Sequence, residues 1–322
     1  GLPIIALTGS NGKTTTKELI NVVLSKKFKT KATIGNLNNH IGVPLTLLSF
    51  NSETEFGIVE MGANHKKEIE FLCELATPDY GYITNFGKAH LEGFGGVEGV
   101  VIGKSEMYDY LSQNDKLAFI NLEDAIQVEK AKTLKSFSFG VNKEMANVNI
   151  NSIAANPFVE IQFSNHLIQT HLIGLYNANN INAALTIGKY FGVDDLEIKE
   201  ALESYIPENN RSQLITKGTN QIILDAYNAN PSSMSVAVEN FLQLNDSNKI
   251  MILGDMFELG NESPQEHKVL IDFLNDKKDV VIYFIGKEFY NQRTDSANYW
   301  FFETFNTFSE YLSGNKIENS SI

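Results

Sequence analysis

The run Ile4-Ile5-Ala6-Leu7-Thr8-Gly9-Ser10-Asn11-Gly12-Lys13-Thr14-Thr15 puts chemically capable residues where an apolar strand gives way to a helix. Glycines in such a turn let successive backbone N–H groups surround a phosphate, and the helix N-terminus adds its positive dipole end. Lys13 is placed to reach outer phosphates, and the Thr14 hydroxyl to serve a magnesium ion. The general phosphate-loop spacing asks for glycine five residues before Gly12, where this chain has Leu7. Alone, the motif implies a nucleoside triphosphate site and nothing finer. The bland alternative is a strand–turn–helix carrying an exposed lysine.

Three further positions could complete such a site. Glu60 ends the apolar run Phe56-Gly57-Ile58-Val59-Glu60-Met61-Gly62, where phosphate-loop proteins keep a carboxylate for magnesium. His90 lies in the turn-rich Thr84-Asn85-Phe86-Gly87-Lys88-Ala89-His90-Leu91-Glu92-Gly93-Phe94-Gly95, which follows another strand. Ligands of open α/β sheets bind at that carboxyl edge. Lys104 falls on a helix in Ile102-Gly103-Lys104-Ser105-Glu106. Each has a plain reading as well: a strand-end acid, a packing histidine, a solvated lysine. The six histidines show no zinc-type spacing.

The elements that must position these residues alternate as strand and helix, the signature of an α/β protein with a mostly parallel sheet. Strands are expected at Ile4–Thr8, Phe56–Glu60, Tyr80–Asn85 and Leu117–Asn121, with helices at Thr14–Lys26 and about 97–112. Runs at Val148–Ile153, Phe158–Phe163 and Leu167–Ile173 suggest a small antiparallel side sheet, followed by a helix over Asn177–Phe191. The polar stretch Pro207-Glu208-Asn209-Asn210 marks a boundary. Residues 1–208 are thus expected to form one domain. Residues 209–322 form a smaller Rossmann-like open-sheet domain with strands at Gln221–Ala226, Lys249–Leu253 and Val280–Ile285.

Composition excludes several partners. A net charge of −13, from 26 basic and 39 acidic residues, argues against a nucleic-acid binder. The longest apolar runs are strand-length, which argues against membrane insertion. The single cysteine, Cys73, excludes an intramolecular disulfide and fits a reducing compartment, so a cytoplasmic location is expected.

In their order, these segments resemble the Mur ligases, whose nucleotide loop lacks the same early glycine. The resemblance covers nearly the whole chain. It implies an ATP- and magnesium-dependent ligase, with Gly9, Ser10, Asn11, Gly12, Lys13, Thr14 and Thr15 on ATP. Glu60 and His90 match the family's magnesium ligands beside Thr14, and Lys104 matches its carbamylated lysine. A carbamate forms from the neutral amine, so it requires a lysine of lowered pKa, and it supplies an anionic oxygen ligand. Gly174-Leu175-Tyr176-Asn177-Ala178-Asn179-Asn180 resembles the family element whose last Asn meets adenine, with Tyr176 in place of the usual His. Arg211 and Asp225 match residues that the C-terminal domain brings to the nucleotide.

Four stretches narrow the implied acceptor to D-alanyl-D-alanine: Gly35 to Thr46, His90 to Gly95, Asp225-Ala226-Tyr227-Asn228-Ala229-Asn230-Pro231, and Leu253 to Gly260. The implied reaction joins that dipeptide to UDP-N-acetylmuramoyl-tripeptide, in a protein expected to act as a monomer. Asn38 and Asn39 are expected to face the precursor, and Tyr227, Asn228 and Asn230 the nucleotide or dipeptide. Measured against the family, an N-terminal uridine-nucleotide domain and a final strand and helix are expected to be missing. Two alternatives stay open: another ligase of the superfamily, such as a folate polyglutamylating enzyme, and a non-catalytic nucleotide-binding module.

Overall fold

The computed structural model describes residues 1–208, 210–246 and 248–322. The boundary expected between 208 and 209 touches Asn209, which lies outside the described residues. Two compact units are present: residues 1–88 with 93–206, and residues 89–92 with 207–322.

The first unit is built on seven strands: β1 (Ile4–Thr8), β2 (Thr30–Ala32), β3 (Phe56–Glu60), β4 (Tyr80–Ile83), β5 (Leu117–Asn121), β6 (Lys135–Val141) and β7 (Val148–Ile150). They pair in parallel in the order β2-β3-β1-β4-β5-β6-β7. β1 and β3 are buried along their whole length, which is why they read as unbroken apolar runs. Chain order reverses at β1, which lies between β3 and β4. The register sets Leu7 beside Glu60 and Thr8 beside Ile83, so the loops after β1, β3 and β4 open at one edge.

Alternation along β4 shows how the faces are filled. A Cβ on Gly81 would meet Leu111 and Met107 of helix Val97–Gln113. The next residue, Tyr82, points into the opposite cluster, with helices Lys13–Leu24 and Ala178–Tyr190. Those two helices also pack against each other.

Beside this sheet, β8 (Ser152–Ala155), β9 (Phe158–Phe163) and β10 (His166–Ile173) form an antiparallel sheet in the order β10-β9-β8. The run Val148–Ile153, expected as one strand, is divided between two sheets. Val148–Ile150 extends the parallel sheet beside β6, whereas Ser152 onward pairs with β9. Asn151 is the crossing point, its N–H donating to the Gln162 carbonyl.

In the second unit, β11 (Gln213–Lys217) and β12 (Asn220–Leu224) form a hairpin. β13 (Lys249–Gly254), β14 (Val280–Ile285) and β15 (Tyr299–Phe302) run parallel in that order. Ser321 bridges both Gln221 and Lys249, joining the hairpin to the parallel strands. Helices Pro231–Leu242 and Ser263–Leu274 contribute Val238, Phe241, Leu270 and Ile271 to the core under Phe284. Among the described residues, no helix is long and apolar enough to cross a membrane.

Leu7, fully buried at the centre of the sheet, and Leu48, 81% exposed, offer a direct contrast. Leu7→Ala is expected to lower unfolding free energy by about 2–5 kcal/mol. Leu48→Ala is expected to change it by less than about 0.5 kcal/mol. Denaturant midpoints read both, and equal losses would contradict the central position of β1.

Candidate nucleotide and metal site

The loop after β1 is held by its glycines and by the segment that follows β4. Gly12 caps helix Lys13–Leu24 in the left-handed region, at φ 79°, and a Cβ there would stand 2.5 Å from Asn180 Oδ1. At Gly9, φ is 142° and a Cβ would collide with Thr84. Only glycine satisfies both demands at either position. Ser10 donates its N–H to the Asn85 carbonyl at 3.1 Å and its hydroxyl to the Gly87 carbonyl at 2.6 Å. Asn85 brackets Asn11 from both sides: Oδ1 accepts the Asn11 N–H at 3.1 Å, and Nδ2 donates to the Asn11 carbonyl at 3.0 Å. Lys13 folds back along the loop, with Nζ 2.8 Å from the Gly9 carbonyl and 3.2 Å from that of Ser10.

Glu60 faces the first turn of the same helix. The residue is 1% exposed. Its Oε1 accepts the Thr14 hydroxyl at 3.2 Å and the Asn38 amide at 2.8 Å, and its backbone N–H donates to Thr33 Oγ1 at 3.0 Å. Oε2 is buried with no hydrogen-bond partner among the described residues. A buried carboxylate oxygen without a partner is unfavourable unless a cation meets it. With the Thr14 hydroxyl alongside, the donors are hard oxygens, and they fit magnesium.

Lys104 is 1% exposed, in a helix and not on the surface. Its Nζ donates to the Ala63 carbonyl at 3.1 Å and lies 5.1 Å from the Phe94 ring centre. Burial, reinforced by the Lys13 charge and opposed by Glu68 and Glu106, holds its pKa well below the ordinary lysine value. The amine therefore has the lowered basicity that carbamylation requires. The Ala63 turn is itself anchored by acids. Glu68 takes the N–H groups of Asn64 and His65, and Glu106 those of Lys67 and Glu70.

Asn180 is buried against the loop, accepting the Thr16 hydroxyl at 3.1 Å and donating to Asn177 Oδ1 at 2.9 Å. Asn39 is engaged in its own backbone: its Oδ1 takes the N–H groups of Ile41 and Gly42, both at 3.0 Å.

The remaining residues expected in the site belong to the second unit. His90 groups with it through residues 89–92, and its Nδ1 meets the Glu258 carboxylate. The Arg211 guanidinium stacks 3.7 Å from the centre of the Tyr227 ring. Asp225, Tyr227 and Asn228 are exposed. Asn230 caps helix Pro231–Leu242, its Oδ1 accepting the Ser233 N–H at 2.9 Å while Ser233 Oγ accepts the Asn230 N–H at 3.1 Å. Sequence reasoning passed over Thr84 and Asn85 as site-shaping residues. The available signal was their place at the end of the strand neighbouring β1.

The chain is similar to known proteins over most of its length. The chain matches the family described as Mur ligase middle domain over residues 7–188, and that described as Mur ligase, glutamate ligase domain over residues 210–305. A UDP-N-acetylmuramoyl-tripeptide–D-alanyl-D-alanine ligase of Bacillus subtilis is 34% identical over 289 residues, covering 89% of this chain and 63% of that protein. The Escherichia coli protein of the same name is 33% identical, over 82% of this chain and 60% of its own length. This chain therefore spans a little under two thirds of these relatives. The crystal structure of MurF from Acinetobacter baumannii superposes with a TM-score of 0.87 at 32% identity, over 99% of this chain and 72% of that one. MurF ligase from Thermotoga maritima in complex with ADP gives 0.84 at 25% identity, over 99% and 75%.

The Lys104 environment has a consequence for stability. Between its lowered folded pKa and the ordinary value of 10.5, the unfolded chain holds a proton that the folded chain has released. Stability from this group therefore rises with pH across that window and is lost as pH falls through the folded pKa. Lys104→Met is expected to flatten that slope and, in CO2-free buffer at neutral pH, to raise the melting temperature. Each kcal/mol recovered is worth about 2–4 °C in a protein of this size. Thermal melts of both proteins across the window test this. A lower melting temperature and an unchanged slope in the variant would contradict it.

Proposed function

The chain belongs to the Mur ligase family, and from that premise we propose that it joins D-alanyl-D-alanine to UDP-N-acetylmuramoyl-tripeptide, at the expense of ATP, in peptidoglycan precursor synthesis. On this reading residues 1–208 are the ATP-binding central ligase domain and residues 209–322 the C-terminal ligase domain. The observation that carries the reading is the buried Glu60 carboxylate. It is tied to Thr14 at the head of the phosphate-loop helix and keeps one oxygen unpartnered. The acceptor rests on the similarity to relatives named for that reaction.

The reaction divides into two displacements. The terminal carboxylate of the tripeptide attacks the γ-phosphorus of ATP, breaking the bond to ADP and giving an acyl phosphate. The dipeptide amine then attacks the acyl carbon, phosphate leaves, and the amine gives up a proton as the amide forms. Both steps need anions held in line and their charge offset. The Ser10 and Asn11 N–H groups are held by Asn85, so the backbone N–H groups at the head of the helix, from Gly12 to Thr15, would surround the phosphates, and Gly12 lets that backbone come close. Lys13 supplies the loop's mobile cation, exchanging the carbonyls of Gly9 and Ser10 for phosphate oxygens. Glu60, Thr14 and a carbamate on Lys104 would hold magnesium, which when bound offsets charge developing on the transferred phosphoryl group. Burial of Lys104 keeps its amine available for CO2 and shields the adduct from water.

Lys13→Ala is expected to weaken MgATP binding by about ten- to a hundredfold, the range for a hydrogen bond to a charged group. Calorimetry gives that number, and equal affinities would remove the phosphate-loop assignment. Phosphate release is expected to require ATP, magnesium, the tripeptide precursor and D-alanyl-D-alanine together. Release with glutamate in place of the dipeptide would point to another ligase of the superfamily. ATP binding without release under any of these combinations would point to a non-catalytic module.

A further inference from the structure

We infer that Asn38 is a positioning residue for magnesium: its side-chain amide orients Glu60 so that Oε2 faces the cation. The inference rests on the ligase reading for the identity of the cation and on this chain's own geometry for the role. Asn38 Nδ2 donates to Glu60 Oε1 at 2.8 Å, and the Thr14 hydroxyl donates to the same oxygen. Both donors therefore fall on one side of the carboxylate. The other oxygen is buried and left without a partner among the described residues. A carboxylate fixed in this way presents a single oxygen in a single direction, without losing rotamer freedom when the metal arrives. Groups that hydrogen-bond a ligating carboxylate govern metal affinity in this manner, typically by about 10- to 100-fold.

The backbone around Asn38 is arranged to keep the amide there. Its carbonyl accepts the Gly62 N–H at 2.7 Å, two residues beyond Glu60, and its own N–H donates to the Asn36 carbonyl at 2.7 Å. The amide lies directly over Gly62, where a Cβ would stand 2.7 Å from Asn38 Oδ1 and 2.9 Å from Cγ. Gly62 carries no positive φ, so backbone conformation does not demand glycine here. What glycine provides is room for the Asn38 amide. Asn38 thus joins the segment expected to face the precursor to the carboxylate expected to face the metal.

Two variants test this from opposite sides. Asn38→Leu keeps the size of the side chain and removes the donor. Gly62→Ala keeps the donor and pushes the amide away with its new methyl, at little disturbance because the displaced group is the end of a side chain. Nucleotide binding is measured by calorimetry with magnesium and, separately, with EDTA, together with the magnesium concentration that half-saturates ATP binding. Both variants are expected to raise that concentration by about tenfold or more, while metal-free affinity and melting temperature stay near wild type. Their double variant is expected to be no worse than the single ones, because both act on one hydrogen bond. A merely structural role would weaken binding equally with magnesium and with EDTA, and that result overturns the inference. Wild-type magnesium dependence in a folded Gly62→Ala protein overturns it as well, even if Asn38→Leu fails to fold. Magnesium-independent ATP binding by the wild type would instead count against the ligase reading itself.

Discussion

Glu60 is a carboxylate at the end of a fully buried strand, with one oxygen satisfied by Thr14 and Asn38 and the other by nothing among the described residues. Buried polar atoms in folded proteins are nearly always paired, so such an atom is a site of stored unfavourable energy unless a ligand relieves it. Much of the first unit follows from placing this group. β3 must be flanked on both sides, by β2 and β1, to bury it, and β1 must lie beside β3 to bring the phosphate loop within reach. The parallel register that pairs Leu7 with Glu60 is what sets Thr14 against the acid.

Rigidity around this pair comes from side chains that fill backbone hydrogen bonds instead of from a large apolar pocket. Asn85 clasps Asn11, Glu68 and Glu106 fix the turn that supplies Ala63, and Ala63 in turn holds Lys104. Each link is modest, on the order of 1 kcal/mol for a typical intramolecular hydrogen bond and more for a charged one. Among these groups Lys13 is the long side-chain cation, held in this structure by the carbonyls of Gly9 and Ser10. That division suits phosphoryl transfer, in which preorganised dipoles carry most of the stabilisation and one flexible charge follows the moving phosphate.

The sequence revealed this centre unevenly, for physical reasons. β1 and β3 are apolar throughout because both faces of the sheet are covered, so the strand ending in Glu60 and the loop after Thr8 were readable to the residue. The short β2 and the Ser-interrupted β6 gave weaker patterns, and the chain's crossing at Asn151 was hidden inside one run of mixed apolar and polar residues, Val148–Ile153. Lys104 is the clearest limit. Its neighbours Gly103 and Ser105 say nothing of burial, and only the packing of Phe94 and the Ala63 turn shows that its amine is out of water. Polar residues that serve the backbone were equally opaque. Asn38, Asn39 and Asn230 look alike in sequence, yet one holds a carboxylate and the other two hold N–H groups at the starts of helices.

The most direct test of the proposed chemistry follows one oxygen atom. Tripeptide precursor labelled with oxygen-18 at both oxygens of its terminal carboxylate is incubated with ATP, magnesium and D-alanyl-D-alanine, and the released phosphate is analysed by mass spectrometry. An acyl phosphate requires one labelled oxygen in each phosphate released, because the carboxylate oxygen that attacks phosphorus leaves with it. Phosphate released without label, alongside amide product, would mean that the carboxylate is not activated by phosphorylation and would contradict the mechanism.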